Sequence, residues 1–175
     1  MAIDIPEGLK NVAEKYLGRF YKNPLVRVVK KENWHITVDF CGYLNDEELN
    51  KLKERARKIK EETKKFELVP DKIIFAPPQK KPRMVWMTFE PSQIFLKLCN
   101  NFKEFLQNSR EQFPHLTLLR FKEFHCPNLK NLLPPEGIDL KNETKPFTVE
   151  SINIMESHLS SNGPKYELVC RNYLK

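Results

Sequence analysis

Two of the four histidines in the chain stand at the head of matching tetrads. Residues 35–38 read HITV and residues 115–118 read HLTL, so each tetrad has histidine first, threonine third and apolar residues second and fourth. The chain has only six threonines, and composition alone gives two such coincidences a chance on the order of one percent. The pattern predicts an internal repeat, with one copy in each half of the chain.

The spacing within each tetrad has a structural meaning if both tetrads are strands. Successive side chains of a strand point to opposite faces, so His35 and Thr37 share one face, as do His115 and Thr117. Four apolar residues would anchor the opposite faces in the core: Ile36, Val38, Leu116 and Leu118. Two such strands facing each other would place two imidazoles and two hydroxyls around one cavity.

That set of groups suits an in-line displacement at phosphorus. One imidazole takes a proton from water and the other gives a proton to the departing ribose oxygen. An unperturbed pKa of about 6.5 makes both forms of imidazole available near neutral pH. The threonine hydroxyls can donate to non-bridging phosphate oxygens, and no metal is required. A single tetrad is more often only a structural strand segment, but the presence of both favours a site.

The composition is basic. Lysine and arginine number 30 against 23 aspartates and glutamates, which gives a net charge of +7 and an isoelectric point of about 9.2. Nucleic acid as a partner and a merely solvated lysine-rich surface explain this excess about equally well. The four cysteines are scattered without a C-x-x-C pair, so we expect no metal site, no cofactor and no disulfide scaffold. Without a signal peptide or membrane span, the sequence predicts a cytoplasmic protein, which we expect to be a monomer.

Alternating and helical periodicities divide the chain into short elements. Strands are predicted at 2–5, 25–30, 34–41, 66–76, 83–89, 115–121, 147–156 and 165–171, and helices at 6–22, 45–65 and 92–110. We expect the strands at 25–30 and 34–41 to pair around a turn at 31–33. Paired strands separated by helices, without a linker, predict one α+β domain over residues 1–175. Its two pseudo-symmetric lobes would each be an antiparallel sheet with flanking helices around a central cleft.

Four segments of the chain carry a resemblance to a known family. They read AIDIP, ENWHITVDFCGYLNDEEL, FPHLTLLR and ESHLSSNGPKYELV. In this order and spacing they resemble the 2H phosphoesterase superfamily, whose hallmark is one H-x-T-x motif in each of two lobes. Within it, the chain is most similar to the RNA 2′,3′-cyclic phosphodiesterases, also called 2′-5′ RNA ligases or LigT-like proteins.

The resemblance implies metal-independent hydrolysis of a terminal RNA 2′,3′-cyclic phosphate to a 2′-phosphate. By family analogy, His35 is the proton donor to the departing 3′ oxygen and His115 is the proton acceptor that activates water. Thr37 and Thr117 would hold the phosphate, and Arg120 matches a basic residue of the family that could do the same. The residues themselves do not decide which histidine is the acid.

Several residues near the tetrads could have either a structural or a functional role. Strict alternation places Arg120 on the face opposite His115, where a structural ion pair is about as plausible as phosphate binding. Asp39 would share a face with His35 and could orient a water or repel substrate. Trp34 and Phe40 could stack on a base, but core packing is the better prediction for both. Tyr166 matches the ending of the family, and we expect it to be structural.

Other functions remain open at this point. The same two histidines could catalyse the reverse reaction, joining RNA through a 2′-5′ bond. The substrate could instead be a small cyclic nucleotide or a 2′-5′ oligoadenylate. A non-enzymatic RNA-binding module is the remaining alternative, and the retention of all four motif residues weighs against it.

Overall fold

The computed structural model of the protein describes residues 1–18, 20–77, 82–103, 113–122, 137–159 and 163–175. Within these ranges the helices are α1 (Glu7–Leu17), α2 (Asp46–Glu62) and α3 (Gln93–Asn100). The strands are β1 (Ala2–Asp4), β2 (Val26–Val28), β3 (His35–Thr37), β4 (Phe66–Leu68), β5 (Pro70–Ala76), β6 (Met84–Phe89), β7 (His115–Phe121), β8 (Ile138–Asp139), β9 (Phe147–Val149), β10 (Ser151–His158) and β11 (Lys165–Tyr173).

One antiparallel sheet of nine strands extends through the described part of the chain, in the order β11-β10-β1-β3-β7-β6-β5-β8 with β2 also paired to β7. β4 and β9 form a separate two-stranded sheet. The strands that carry the tetrads, β3 and β7, are neighbours near the middle of the large sheet, so the two halves of the chain meet in one continuous sheet. The antiparallel sheet and its helices confirm the predicted α+β class.

α2 shows how local sequence fixes a helix against this sheet. It begins at a capping box, in which Asn45 accepts a hydrogen bond from the Glu48 amide and Glu48 accepts one from the Asn45 amide. Its buried residues are Leu52, Ala56 and Ile59, spaced by four and three, and the helix packs on β10 and β11. The charged remainder of the helix is left to solvent.

The other two helices differ in extent from the predicted ranges. α1 ends at Leu17, because Gly18 and the turn after it follow instead of the further turn of helix predicted to 22. α3 begins after Ser92, whose hydroxyl accepts a hydrogen bond from the Phe95 amide at 3.2 Å. Residues 104–110 of the range predicted for this helix lie outside the described residues.

The prediction that the strands at 25–30 and 34–41 pair with each other is wrong. β2 and β3 instead lie one after the other along the same side of β7, with Val28 opposite Leu119 and Ile36 opposite Leu116. The nine residues 28–36 therefore span the same length of sheet as the four residues 116–119 of β7. The residues between β2 and β3, which include a short 3-10 turn at Lys31–Asn33, leave the sheet and form a wall beside it.

Two other predicted strands each divide between the two sheets. Residues 66–76 form β4 in the small sheet and β5 in the large one, and residues 147–156 form β9 and β10 in the same way. A single residue, Val69 or Glu150, separates the strands in each case. A continuous apolar alternation does not reveal such a change of partner, because both strands keep the same period.

Candidate active site

The two tetrads cross at the pair Ile36 and Leu116, which lie opposite each other in the antiparallel ladder of β3 and β7. In such a ladder the residues on either side are also paired, so His35 lies opposite Thr117 and Thr37 opposite His115. Both pairs are half-buried on one face, while Ile36 and Leu116 are buried on the other. The two imidazoles are therefore diagonal neighbours on one face, a relation in which Cβ atoms are about 7–8 Å apart or slightly less.

All four polar residues of the tetrads line one cleft that encloses about 760 Å³ of space, including its open mouth. The other lining residues come from β2, the wall that follows it, β7 and the segment that leads into β11. They are Arg27, Val28, Val29, Lys30, Asn33, Arg120, Gly163, Pro164 and Tyr166.

One hydrogen bond joins the two walls of the cleft. The Asn33 side-chain amide donates to the Pro164 carbonyl at 2.8 Å, across 131 residues of sequence. Beside it, Gly163 has φ of 106°, a left-handed conformation that side chains other than glycine rarely adopt. This bridge holds the wall after β2 against the segment that leads into β11.

Both imidazoles are oriented by the same backbone device. The Nδ1 atom of His35 lies 2.8 Å from the Asn33 carbonyl oxygen, and that of His115 lies 3.0 Å from the Phe113 carbonyl oxygen. Each acceptor is two residues before its histidine. A carbonyl oxygen can only accept, so this contact places a hydrogen on Nδ1 and leaves Nε2 as the nitrogen that is available to a ligand.

Aromatic rings support the two histidines differently. The ring of Tyr166 meets His35 edge-on, with centroids 4.7 Å apart and planes at 70°. His115 lies against the ring of Trp86, with centroids 4.1 Å apart and planes at 31°, and Phe113 lies 5.2 Å away. Tyr166 is therefore part of the site, although its sequence context predicted only a structural role. A tyrosine after a turn carries no local signal that it will lie against a histidine from another strand.

Burial lowers the pKa of both imidazoles from the ordinary value, because the charged form loses solvation. For His115 the positive charge of Arg120 lowers the pKa further, while the Phe113 carbonyl opposes the shift. For His35 the Asn33 carbonyl and the Asp4 carboxylate act to raise the pKa, and the ammonium of Met1 and His115 act to lower it. Asp4 lies directly opposite His35 on β1.

The position predicted for Arg120 by strict alternation is wrong. In the pairing of β6 with β7, Val85 lies opposite Leu119 but Trp86 lies opposite Thr117, so Leu118 is an extra residue on β7. This β-bulge shifts the alternation by one residue: Leu118 and Leu119 are both buried, and Arg120 emerges on the face of the cleft. Its Nη1 atom lies 3.2 Å from the sulfur of Met84.

Asp39 does not join the cleft. β3 ends at Thr37, so the alternation that would place Asp39 beside His35 stops before it. The side chain is 2% exposed, its Oδ1 accepts a hydrogen bond from the Phe40 amide, and its Oδ2 has no partner among the described residues. Burial raises the pKa of this carboxyl. The prediction that it could orient a water or repel substrate is therefore wrong.

The two aromatic residues beside the first tetrad have opposite surroundings. Trp34 is buried, and its indole nitrogen donates to the Val29 carbonyl at 2.9 Å, so core packing is confirmed. Phe40 is 71% exposed, so the prediction of core packing is wrong for this residue. It follows Asp39 in a segment without regular secondary structure.

Neither a metal site nor a membrane span emerges from the described residues. Their His, Cys, Asp and Glu side chains include no cluster of three that could hold an ion. In the same ranges, each helix is too short or too polar to span a membrane.

The sequence and the structure both match known proteins. The model of the LigT-like phosphoesterase family matches residues 3–86. An RNA 2′,3′-cyclic phosphodiesterase of Methanocaldococcus jannaschii is 29% identical, over 97% of this chain and 96% of that protein. A protein of the same name from Aquifex aeolicus is 25% identical, over 96% and 92% of the two chains.

Solved structures share the fold along nearly the whole chain. A protein of Thermus thermophilus has a TM-score of 0.83 at 20% identity, covering 99% of this chain and 95% of its own. E. coli LigT in complex with 3′-AMP has a TM-score of 0.76 at 23% identity, with the same coverage. The chain therefore shares the fold of these solved structures. In sequence, the chain is similar to the LigT-like phosphoesterases over residues 3–86 and to the two cyclic phosphodiesterases over nearly its whole length.

Proposed function

We propose that this protein hydrolyses the 2′,3′-cyclic phosphate at RNA 3′ ends to a 2′-phosphate, without a metal ion. The observation that carries the proposal is the crossing of β3 and β7, which sets two imidazoles and two threonines on one face of one cleft. Full-length relatives named as RNA 2′,3′-cyclic phosphodiesterases support the substrate. The net charge of +7 favours an anionic ligand.

In the proposed reaction the phosphorus lies between the two imidazoles. Water attacks phosphorus and gives a proton to Nε2 of His115, while the bond from phosphorus to the 3′ oxygen breaks. Nε2 of His35 gives a proton to that oxygen, which leaves as the ribose 3′-hydroxyl. The products are therefore a 2′-phosphate and a free hydroxyl, and the two histidines exchange protonation states.

The charges around the two rings support this choice of roles. Arg120 favours the neutral form of His115, which a base requires. Asp4 is the carboxylate that favours the protonated form of His35, which an acid requires. The Met1 ammonium opposes that effect, so the assignment also depends on the family resemblance.

The threonines are proposed to bind the phosphate undergoing displacement, and Arg120 is proposed to bind phosphate of the same substrate. Among the described residues, neither the Thr37 nor the Thr117 hydroxyl has a hydrogen-bond partner, so both are available to a ligand in the cleft. Hydroxyls donating to non-bridging oxygens would stabilise the charge that builds up on phosphorus during displacement. Arg120 adds a positive charge on the same face of β7.

The test is turnover of an RNA oligonucleotide that ends in a 2′,3′-cyclic phosphate, measured in EDTA. We expect a 2′-phosphate product from the wild-type protein and nearly complete loss of activity in both His35→Ala and His115→Ala. A 3′-phosphate product would show that the 2′ oxygen, and not the 3′ oxygen, is the leaving group. Binding of RNA without turnover would favour an RNA-binding module, and loss of activity in EDTA would contradict the metal-free mechanism.

A further inference from the structure

Two arginines lie directly opposite each other at the end of the cleft. Arg27 on β2 is the cross-strand partner of Arg120 on β7, and both line the same cavity as the two histidines. Like charges in directly opposed positions of a sheet destabilise it. Among the described residues, neither guanidinium has a carboxylate within salt-bridge distance, so the repulsion is not offset inside this part of the protein.

Two guanidiniums on adjacent strands, neither with a carboxylate partner among the described residues, are suited to bind one anion between them. Each guanidinium presents a planar fork of N–H donors that fits phosphate oxygens. Both arginines are exposed, so a ligand in the cleft can reach them.

The position of the pair relative to the tetrads indicates which anion it binds. Arg120 follows Thr117 by three residues on β7, which is about 10 Å of strand and less where the bulge shortens it. A long arginine side chain can cover part of this distance. The pair is thus separated from the two imidazoles by a distance comparable to one nucleotide unit, and it would meet a second phosphate rather than the one undergoing displacement.

We propose that Arg27 and Arg120 form a second phosphate subsite, which binds the phosphoryl group on the 5′ oxygen of the terminal nucleotide. This inference rests on the proposed function, because that function places the cyclic phosphate between the histidines. The ligand is a ribose that carries phosphate at both ends. It is either the last nucleotide of an RNA chain or a small nucleotide with a 5′-phosphate.

Three substrates with the same base test the subsite: a nucleoside 2′,3′-cyclic phosphate, its 5′-phosphorylated form, and a dinucleotide with the same cyclic end. We expect kcat/KM to be roughly ten- to hundred-fold higher for the last two than for the first, the range of a charge-assisted hydrogen-bonded contact. An advantage greater for the dinucleotide assigns the subsite to RNA chains. An advantage confined to the 5′-phosphorylated nucleotide assigns it to small nucleotides.

Arg27→Gln should remove most of this advantage, which is read as the ratio of kcat/KM between the longer and the shorter substrate. Arg57→Ala, on the exposed side of α2, removes the same charge away from the cleft and should keep the ratio. A dinucleotide with a neutral methylphosphonate linkage removes the charge from the substrate instead. On that substrate the wild type and Arg27→Gln should have equal kcat/KM, because the phosphate charge that Arg27 would contact is already absent.

Salt gives an independent measurement. One additional phosphate contact steepens the fall of log kcat/KM with log salt by about 0.7 for a single strand, and Arg27→Gln should reduce that slope. Equal kcat/KM on all three substrates would overturn the subsite, as would an advantage that persists in Arg27→Gln or with the methylphosphonate. A wild-type protein inactive even on the cyclic nucleoside would instead refute the proposed function, and the subsite with it.

Discussion

The two tetrads orient their histidines by the same hydrogen bond but surround them differently. In both, Nδ1 contacts the carbonyl two residues earlier. His35 has the edge of Tyr166 and the carboxylate of Asp4 beside it, whereas His115 has the face of Trp86 and the charge of Arg120.

This difference indicates how two copies of one motif would acquire distinct roles. In both halves the backbone orients the ring through the same contact, from Nδ1 to the carbonyl two residues earlier. The neighbours that differ are charged groups and rings from other elements, and these decide which imidazole holds its proton more readily. Substitutions of the histidines and threonines, which both halves share, should have larger effects than substitutions of the neighbours that differ.

Removal of either imidazole should have the largest effect. His35→Ala and His115→Ala should each lower kcat by about 10²–10⁴-fold, the usual contribution of a general acid or base. A substrate with sulfur in place of the 3′ bridging oxygen separates the two roles, because a thiolate leaves without a proton. Single-turnover rates on this substrate should recover in His35→Ala and stay low in His115→Ala. Recovery in the other variant would exchange the roles.

The threonines should have the next largest effect. Thr37→Val and Thr117→Val keep the shape of the side chain but remove the hydroxyl, and each should lower kcat/KM by roughly 10–100-fold, as expected for a hydrogen bond to a charged oxygen. Thr148→Val, at an exposed position of β9, is the matched control and should keep full activity. A wild-type rate in either tetrad variant would exclude that hydroxyl from phosphate binding.

The charges should have a smaller effect, seen as a shift of the pH dependence, because the charged groups are partly exposed and screened by solvent. Arg120→Gln removes a positive charge and should raise the pKa of His115, while Asp4→Asn should lower that of His35. Titration of the imidazole resonances by NMR measures each shift, with Glu150→Gln, an exposed carboxylate outside the cleft, as the control. Shifts of the opposite sign would contradict the electrostatic comparison.

The wild-type pH profile follows from the same pKa directions. Burial lowers both pKa values below about 6.5, so the imidazole that must be protonated loses its proton before pH 7 is reached. We therefore expect kcat/KM to decrease as the pH rises through neutrality. A profile that rises steadily to pH 8 would show that neither histidine acts in the protonated form.

The smallest effect should come from the ring beside His35. Tyr166→Phe keeps the edge-on contact and should change kcat by no more than about two-fold. Tyr166→Ala should lower kcat by about two- to ten-fold, the value of an edge-to-face aromatic contact. The imidazole resonances of His35 should move in Tyr166→Ala and stay in Tyr166→Phe. A large loss in Tyr166→Phe would assign a role to the hydroxyl.

The parts of the site that follow a strand period could be predicted from the sequence. His35, Thr37, His115 and Thr117 lie in strands on one face, as their spacing predicts, and the α+β class follows from the order of elements. Their catalytic and binding roles stay predictions until the variants are measured.

The other parts of the site depend on a β-bulge and on which strands pair, and the alternation of apolar residues reveals neither. The bulge at Leu118 changes the face of Arg120, and nothing in HLTLLRF distinguishes it from a regular strand. Arg27 stands in an ordinary strand pattern, and it becomes part of the cleft only because β2 pairs with β7. Its charge within an otherwise apolar strand is the one signal that could have indicated it.

The crossing at Ile36 and Leu116 has a consequence for motion. The two imidazoles that we propose as acid and base lie on adjacent strands that share main-chain hydrogen bonds, not on two bodies joined by a hinge. Their separation is therefore fixed before any ligand arrives, and no closing movement is needed to bring them together. Any movement of the surrounding segments would then affect how a ligand enters and leaves the cleft, while the distance between the two imidazoles stays constant.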